Sequence, residues 1–407
     1  ELSILSIGMV ILALLVGTVC VISTIISQRP QGMTLFELPL FSWSMLVAGS
    51  IWILALPIWL SNLAISWVDF LGADALRYGA VENIWHQLSW LWSQPMIFAF
   101  AIPVLGIAGD IIPVSSGVSQ RQYRIQQIAI GAMGALSFGA FAQPFFNPDV
   151  ANQAVFVVMG ILVLIPVLVF MGGLADTSIR GNLSFSAHLV LSVVGMIALL
   201  VAAAASAFHV SGPAIGAIQE INDSWLDGLI TWLRDVHGTV MATAVMEHAL
   251  IASVIGVVAG LYYWSPKIFG HQLNRNAGAL SAITLLGGLV LSGGSNIING
   301  ILDEGDEVFN SSAYEGVWDT DAVEFFNIVG AIGSVLLLAG VGLVVLDLTI
   351  SVILRKGNTE NVNDPWGGHT LEWSTDSPPP TGNFSDAPVV DNERPLLFPA
   401  VTGGDDQ

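Results

Sequence analysis

The chain has 407 residues, 54% hydrophobic and 10% charged, with 11 Lys and Arg against 31 Asp and Glu and a net charge of −20. A soluble domain carries about 25% charged residues, so this composition excludes a water-soluble globular fold. The acidic balance makes nucleic acid a poor partner. The single cysteine, Cys20, excludes a disulfide framework and cysteine-based metal sites.

A helix needs about 20 apolar residues to cross a bilayer. Runs of that kind recur at residues 3–27, 40–67, 91–113, 125–146, 152–174, 184–206, 239–264, 277–297 and 325–354. The predicted fold class is therefore all-α: a polytopic membrane protein of about nine transmembrane helices over residues 1–356, followed by a tail at 357–407. The first run is too long for a signal peptide and lacks a basic flank. The chain begins at Glu1, which leaves open a processed protein or the later part of a longer polypeptide.

Nine spans sort the basic residues. One side holds Arg29, Arg121, Arg124, Arg180, Lys267, Arg275, Arg355, Lys356 and Arg394; the other holds Arg77 and Arg234. By the positive-inside rule the first side is cytoplasmic, which puts the N-terminal end outside, the tail in the cytoplasm and the protein in the cell membrane. The outer loop 298–324 carries acidic residues and no basic one. It reads as a solvated acidic surface, or as a docking face for a cationic partner. Trp225–Val236 has apolar residues at helical spacing and reads as an interfacial amphipathic helix. The tail, with Ser377-Pro378-Pro379-Pro380, reads as extended or disordered unless it docks on something. Trp85, Trp90 and Trp92 read as interface anchors, Pro95, Pro103, Pro144 and Pro166 as helix-shaping residues, and the run Val201–Ser206 as a close-packing surface.

Several short motifs occur in order along the chain. Met33-Thr34 precedes Leu38-Pro39-Leu40-Phe41-Ser42-Trp43-Ser44. Trp90–Phe98 reads WLWSQPMIF, and Ile165-Pro166 follows later. Ala259–Lys267 reads AGLYYWSPK. Asp364-Pro365-Trp366-Gly367, Thr370-Leu371-Glu372-Trp373, Ser377–Pro380 and Asn383-Phe384 close the series. Together these resemble the large subunit (subunit I) of the haem–copper oxidases, which include cytochrome c oxidase. The nine runs would then be that family's helices four to twelve, without the first three.

The resemblance implies a set of reactive positions, and this chain departs from it at each. Gln94 stands where a copper-ligating His is expected, Met96 where a proton-delivering Glu is, and Phe98 where the cross-linked Tyr is. The two remaining copper ligands would fall within Phe141-Ala142-Gln143, so Ala142 and Gln143 replace imidazoles. The haem ligand pair falls on Ala244 and Met246 counting back from Trp264, or on Val245 and Glu247 counting forward from His237; neither choice gives two His. Phe170 replaces the membrane Lys, and Gly238 replaces the Asp beside His237. His237 and His248 remain as candidates for a haem-associated role.

Glu247 and His248 lie inside the seventh run, where ionisable groups are expensive and mark a pathway or a polar contact between helices. Asp347 in the ninth run reads in the same two ways. His188 and His248 fall inside predicted spans, and His86, His209, His237, His271 and His369 at or beyond span ends.

The favoured reading is a cofactor-free, non-catalytic structural or assembly component of a respiratory oxidase complex, with no catalytic residue and no metal ligand of its own. Haem and copper would then reside in its partners: a catalytic subunit I, a copper-bearing subunit II or small helical subunits, with lipids around them. The alternatives are the C-terminal part of a split subunit I that takes part in electron transfer and O2 reduction, and a proton or ion pathway built on the same scaffold.

Overall fold

The apolar runs are helical. A computed structural model describes residues 2–71, 97–137, 153–216, 239–302, 304, 320–354, 357–384, 389–390 and 392–397. The helices are α1 (Leu2–Ser27), α2 (Leu40–Phe70), α3 (Ile97–Ser116), α4 (Tyr123–Ser137), α5 (Gln153–Leu162), α6 (Leu164–Arg180), α7 (Ala187–Gly216), α8 (Met241–Phe269), α9 (Arg275–Gly288), α10 (Gly294–Ile301) and α11 (Thr320–Leu348). Among the described residues eight stretches are long and apolar enough to cross a membrane; α5 with α6, and α9 with α10, each count as one. The remaining predicted span is represented by α4, whose run continues past Ser137 outside the described residues. The protein is an all-helical, multi-pass membrane protein.

Local chemistry sets the breaks. Pro166 lacks the N–H that would bond the Leu162 carbonyl, and the helix is interrupted at Val163 between α5 and α6. Asn274 caps α9, its side chain accepting from the amides of Asn276 at 2.9 Å and Ala277 at 3.3 Å. Gly270 ends α8 in the left-handed region at φ 70°. Leu289–Gly293 forms one π turn between α9 and α10.

Helix α3 is the centre of the bundle: 89% of its crossing stretch is buried, against 11% for α1. It packs against α2, α6, α7 and α8. Gly106 lets α2 approach it, because a Cβ there would run into Ser44 Oγ, the Leu40 carbonyl and Phe41 Cα. Helices α7 and α8 pair along their length. In the small-residue run of α7, Ala202 and Ala203 are fully buried, as a close-approach surface requires.

The tail docks. Residues 357–384 fold over the end of the bundle where α2, α4, α7 and α9 begin and α3, α6 and α8 end. Asn358 accepts from the Gln272 amide at 2.8 Å, and the Trp366 indole donates to the Tyr263 carbonyl at 3.0 Å. Composition favoured an extended tail because polar, Pro-rich sequence cannot form its own core. Here the core is borrowed from the helix ends. The described basic residues gather at this same end: Arg180 bonds the Ser119 carbonyl, Arg275 that of Phe185, Lys267 that of Thr375 and Arg394 that of Gln120, while Arg124 lies over Phe36.

Two histidines differ from their sequence positions. His188 is the second residue of α7 rather than deep in a span, and its ring packs 4.7 Å from Trp366 and 5.5 Å from Tyr263. His209 lies within α7, which runs on to Gly216 beyond the apolar stretch. Hydropathy marks where the apolar stretch stops, and backbone hydrogen bonding carries the helix further.

Candidate functional site

Gln94, Ala142, Gln143 and His237 lie outside the described residues, as do Trp85, Trp90, Trp92, Pro95, Met96, Phe141, Pro144, Gly238, His86 and Trp225–Val236. The described candidates fall into two regions, one at each end of the bundle.

The first region surrounds Glu247 on α8. Ser292 Oγ donates to its Oε1 and Asn296 Nδ2 to its Oε2. Ser292 lies in the π turn, which adds one residue to a helical turn and re-aims the side chains around it. Ser292 Oγ is also 3.2 Å from Ser334 Oγ on α11, and Ser334 donates to the Gly330 carbonyl at 3.1 Å. One turn along α10, Asn299 is fully buried and donates to Asn327 Oδ1 at 2.8 Å. Asn327 in turn donates to Glu304 Oε1 at 3.1 Å. A polar seam therefore runs between α8, α10 and α11 from Glu247 to Glu304.

His248 shares the neighbourhood but not the bonds. Its Nδ1 is 2.8 Å from the Ala244 carbonyl, which can only accept, so Nδ1 carries the proton. Its ring lies on Gly293, where a Cβ would meet Cε1 at 2.5 Å and Nε2 at 2.6 Å. Glycine at 293 is what gives this imidazole room, and the imidazole fills that room.

The residues at the two possible haem-ligand pairs are all described. Ala244 is fully buried and Val245 is 3% exposed. Neither side chain, nor the Met246 thioether, is an imidazole, and both Glu247 oxygens are engaged by Ser292 and Asn296. Phe170, where the resemblance would place a membrane Lys, is fully buried in the core, its ring tip against Gly109. Phe98, where it would place a Tyr, is also fully buried. The side chains at the two possible ligand pairs do not fit the bis-imidazole haem site that the resemblance implies.

The second region lies beneath the tail. Trp264 Nε1 donates to Glu372 Oε1 at 3.0 Å, and Thr370 Oγ1 donates to the same oxygen at 2.6 Å. Lys267 donates to the Thr375 carbonyl and sits 5.5 Å from the centre of the Trp373 ring. Tyr263 meets Trp373 edge-on at 5.1 Å. Arg394 lies over the Tyr123 ring at 5.3 Å, and Tyr123 donates to the Leu38 carbonyl at 2.6 Å. His369 is 8% exposed here. Burial, with Arg394 adding to it, lowers its pKa to about 4. The AGLYYWSPK motif on α8 and the DPWG and TLEW motifs of the tail thus form one interlock.

Two carboxylates serve as braces. Asp110 on α3 accepts from the amides of Leu40 at 3.1 Å and Phe41 at 3.2 Å, closing the start of α2. The sequence reading passed over it, since its partners lie 70 positions away and nothing local marks them. Asp347 accepts from the Tyr262 hydroxyl at 2.9 Å, the Asn274 amide at 3.0 Å and the Ser351 hydroxyl at 2.8 Å. The first two of these bonds tie α11 to α8 and to the cap of α9, while the third lies within its own helix, so the contact reading of Asp347 fits better than the pathway reading.

An apolar groove of about 930 Å³ opens between α2, α3, α8 and α11, walled by Trp52, Phe100, Val257 and Val344 among others, with Asp110, Lys267 and Glu372 among its lining residues.

Comparison with known proteins agrees with this architecture. The family described as cytochrome C and quinol oxidase polypeptide I matches residues 1–336. A probable cytochrome c oxidase subunit 1-beta of Nocardia farcinica is 27% identical over 95% of this chain and 62% of its own length. A probable cytochrome c oxidase subunit 1 of Bradyrhizobium diazoefficiens is 26% identical, over 93% and 54%. The cytochrome c oxidase subunit 1 of Bacillus subtilis is 27% identical, over 96% and 60%. The chain therefore spans less than two thirds of the length of these relatives. A family match over residues 1–336, together with a bundle of membrane-length helices, makes this chain a member of the cytochrome c and quinol oxidase polypeptide I family.

Proposed function

We propose that this chain is a non-catalytic, cofactor-free scaffold within a respiratory oxidase complex. The observation that carries this reading is the occupation of the haem-ligand positions. Ala244 and Val245 are buried alkyl side chains, and the Glu247 carboxylate is held by Ser292 and Asn296. The residue types Gln94, Ala142 and Gln143 add support, because a carboxamide or an alkyl group is a poor substitute for imidazole at copper. What the chain keeps is the apparatus that ties its tail to its helices.

On this reading haem and copper belong to partner subunits, and the open apolar groove is a packing face for a neighbouring membrane polypeptide. The charge distribution supports an orientation with the tail-bearing end in the cytoplasm and the Glu304 end outside. The test is affinity purification of the chain from native membranes in mild detergent, followed by a haem-stained native gel and a reduced-minus-oxidised spectrum of each resolved component. The expected result is co-purification with a haem-bearing oxidase while the separated chain shows no haem band. A haem band belonging to this polypeptide overturns the reading.

A further inference from the structure

The apolar groove between α2, α3, α8 and α11 does not run the length of these helices. On α8 its lining begins at Ser253 and ends at Ile268, and on α11 it begins at Val341 and ends at Leu348. Both are the tail-side parts of their helices. On α2 the lining goes no further from the tail than Trp52. Ser253 to Ile268 spans about 22 Å at 1.5 Å per helical residue. A bilayer core is about 30 Å thick, so the groove is open over little more than the tail-side leaflet. A crossing helix would lie along all of α8. A lipid drawn from one leaflet would cover only the half that is open. The volume of about 930 Å³ falls within the range of clefts that enclose a small molecule, about 300–1,000 Å³.

The tail end of the groove is polar. There it meets a second cavity of about 400 Å³, and Pro39, Ser42 and Glu372 line both. The second cavity is bounded by Gln28 and Arg29, just past the end of α1. Arg29 Nε is buried and has no hydrogen-bond partner, a state that buried donors rarely keep. Both bonds to the Glu372 carboxylate fall on Oε1, which leaves Oε2 without one among the described residues.

The other charged groups of the two linings are more committed. Asp110 holds the amides of Leu40 and Phe41, Glu37 that of Thr34, and Lys267 donates to the Thr375 carbonyl. Asp110, Glu37, Glu372 and Glu393 together outnumber Arg29 and Lys267, so a purely anionic head group is disfavoured. A guanidinium nitrogen and a carboxylate oxygen that lack partners match a head group carrying both a phosphate and an ammonium.

We propose that the groove is the site of one phospholipid with a zwitterionic head group. Its acyl chains lie along Val257 and Val344, its phosphate meets Arg29 and its ammonium meets Glu372. The inference rests on the packing face proposed above in one respect: the lipid then lies between this chain and its neighbour. Because Glu372 also anchors the tail to Trp264, the same lipid touches both the bundle and the interlock.

The test is native mass spectrometry of the full chain in detergent micelles supplied in turn with dioleoyl phosphatidylethanolamine, dioleoyl phosphatidylglycerol and inorganic phosphate. The wild type should carry one phosphatidylethanolamine, held about tenfold better than phosphatidylglycerol, and no phosphate adduct. Val257→Trp, at a position 57% exposed, puts an indole into the path of the acyl chains and should abolish the adduct. Val345→Trp, 55% exposed on α11, repeats the block if the first variant does not fold. Arg29→Gln should weaken retention about tenfold. The proposal is overturned by the absence of an adduct, by equal retention of the two lipids, by retention of phosphate alone, or by an adduct that a folded blocking variant or Arg29→Gln leaves unchanged. A dimer that the block dissociates would assign the groove to a second copy. A polypeptide that the block releases from the native complex, with the lipid adduct unchanged, would assign it to that polypeptide. Either result also overturns the proposal. Haem bound by the chain would count against the scaffold reading and leave the lipid count untouched.

Discussion

The indole of Trp264, near the end of α8, donates to the carboxylate of Glu372 in the tail at 3.0 Å, across 108 positions of sequence. Thr370 bonds the same oxygen, and Lys267 lies over the neighbouring Trp373. Trp264→Phe keeps an aromatic ring and removes one bond to a charged group. It should loosen the tail by about 1–2 kcal/mol. Protease cleavage within 357–384 should speed up accordingly, and Trp264→Phe with Glu372→Gln should cost less than the sum of the two single changes.

The tail should also respond to pH through His369. Burial and Arg394 hold its folded pKa at about 4, below the ordinary 6.5. Below pH 6.5 the undocked tail binds a proton that the docked tail refuses. Docking should therefore weaken as pH falls from 6.5 to about 4, by at most about 1.4 kcal/mol per pH unit, and level off below that. Protease accessibility measured across this range should trace the decline, and His369→Gln should flatten it.

Asp110→Ala should remove both acceptors at the start of α2. The amides of Leu40 and Phe41 would then face an apolar interior, at a cost of about 1–2 kcal/mol by analogy with helix caps. A lower thermal midpoint in detergent checks this. Asp110→Asn, which retains one carbonyl oxygen, should lie between the wild type and Asp110→Ala.

Gly106→Ala should be among the most damaging single-methyl changes in the bundle. The added carbon would meet the α2 backbone, which cannot rotate away. Overpacking of this kind costs about 1–3 kcal/mol. The same substitution at Gly172, where a Cβ meets nothing within 4 Å, should leave the thermal midpoint unchanged or raised.

Much of the fold was legible because a membrane span is a length-and-composition signal. The predicted run 40–67 is α2, Leu40–Phe70, and 239–264 lies within a few residues of α8. The side chains that lock spans together were less legible. Glu247 stood out as a charge in an apolar run, yet Ser292 and Asn296 looked like ordinary small polar residues until the π turn aimed them at it. Tail docking was hidden for the opposite reason. Its composition signals disorder, and Trp366, Glu372 and Trp373 become anchors only when the ends of α7 and α8 are beside them. His188 looked intramembrane because its run is apolar, but the tail residue Trp366 packs against its ring.

The closure of α2 by Asp110 also bears on the order of events during synthesis. The amides of Leu40 and Phe41 belong to the start of one membrane helix, and their acceptor belongs to the later part of the next described one. When α2 leaves the ribosome, Asp110 has yet to be made, so those two amides must bond water or headgroups until α3 follows. The two helices therefore mature as a pair, and α2 alone in the membrane would have its first turn unfinished.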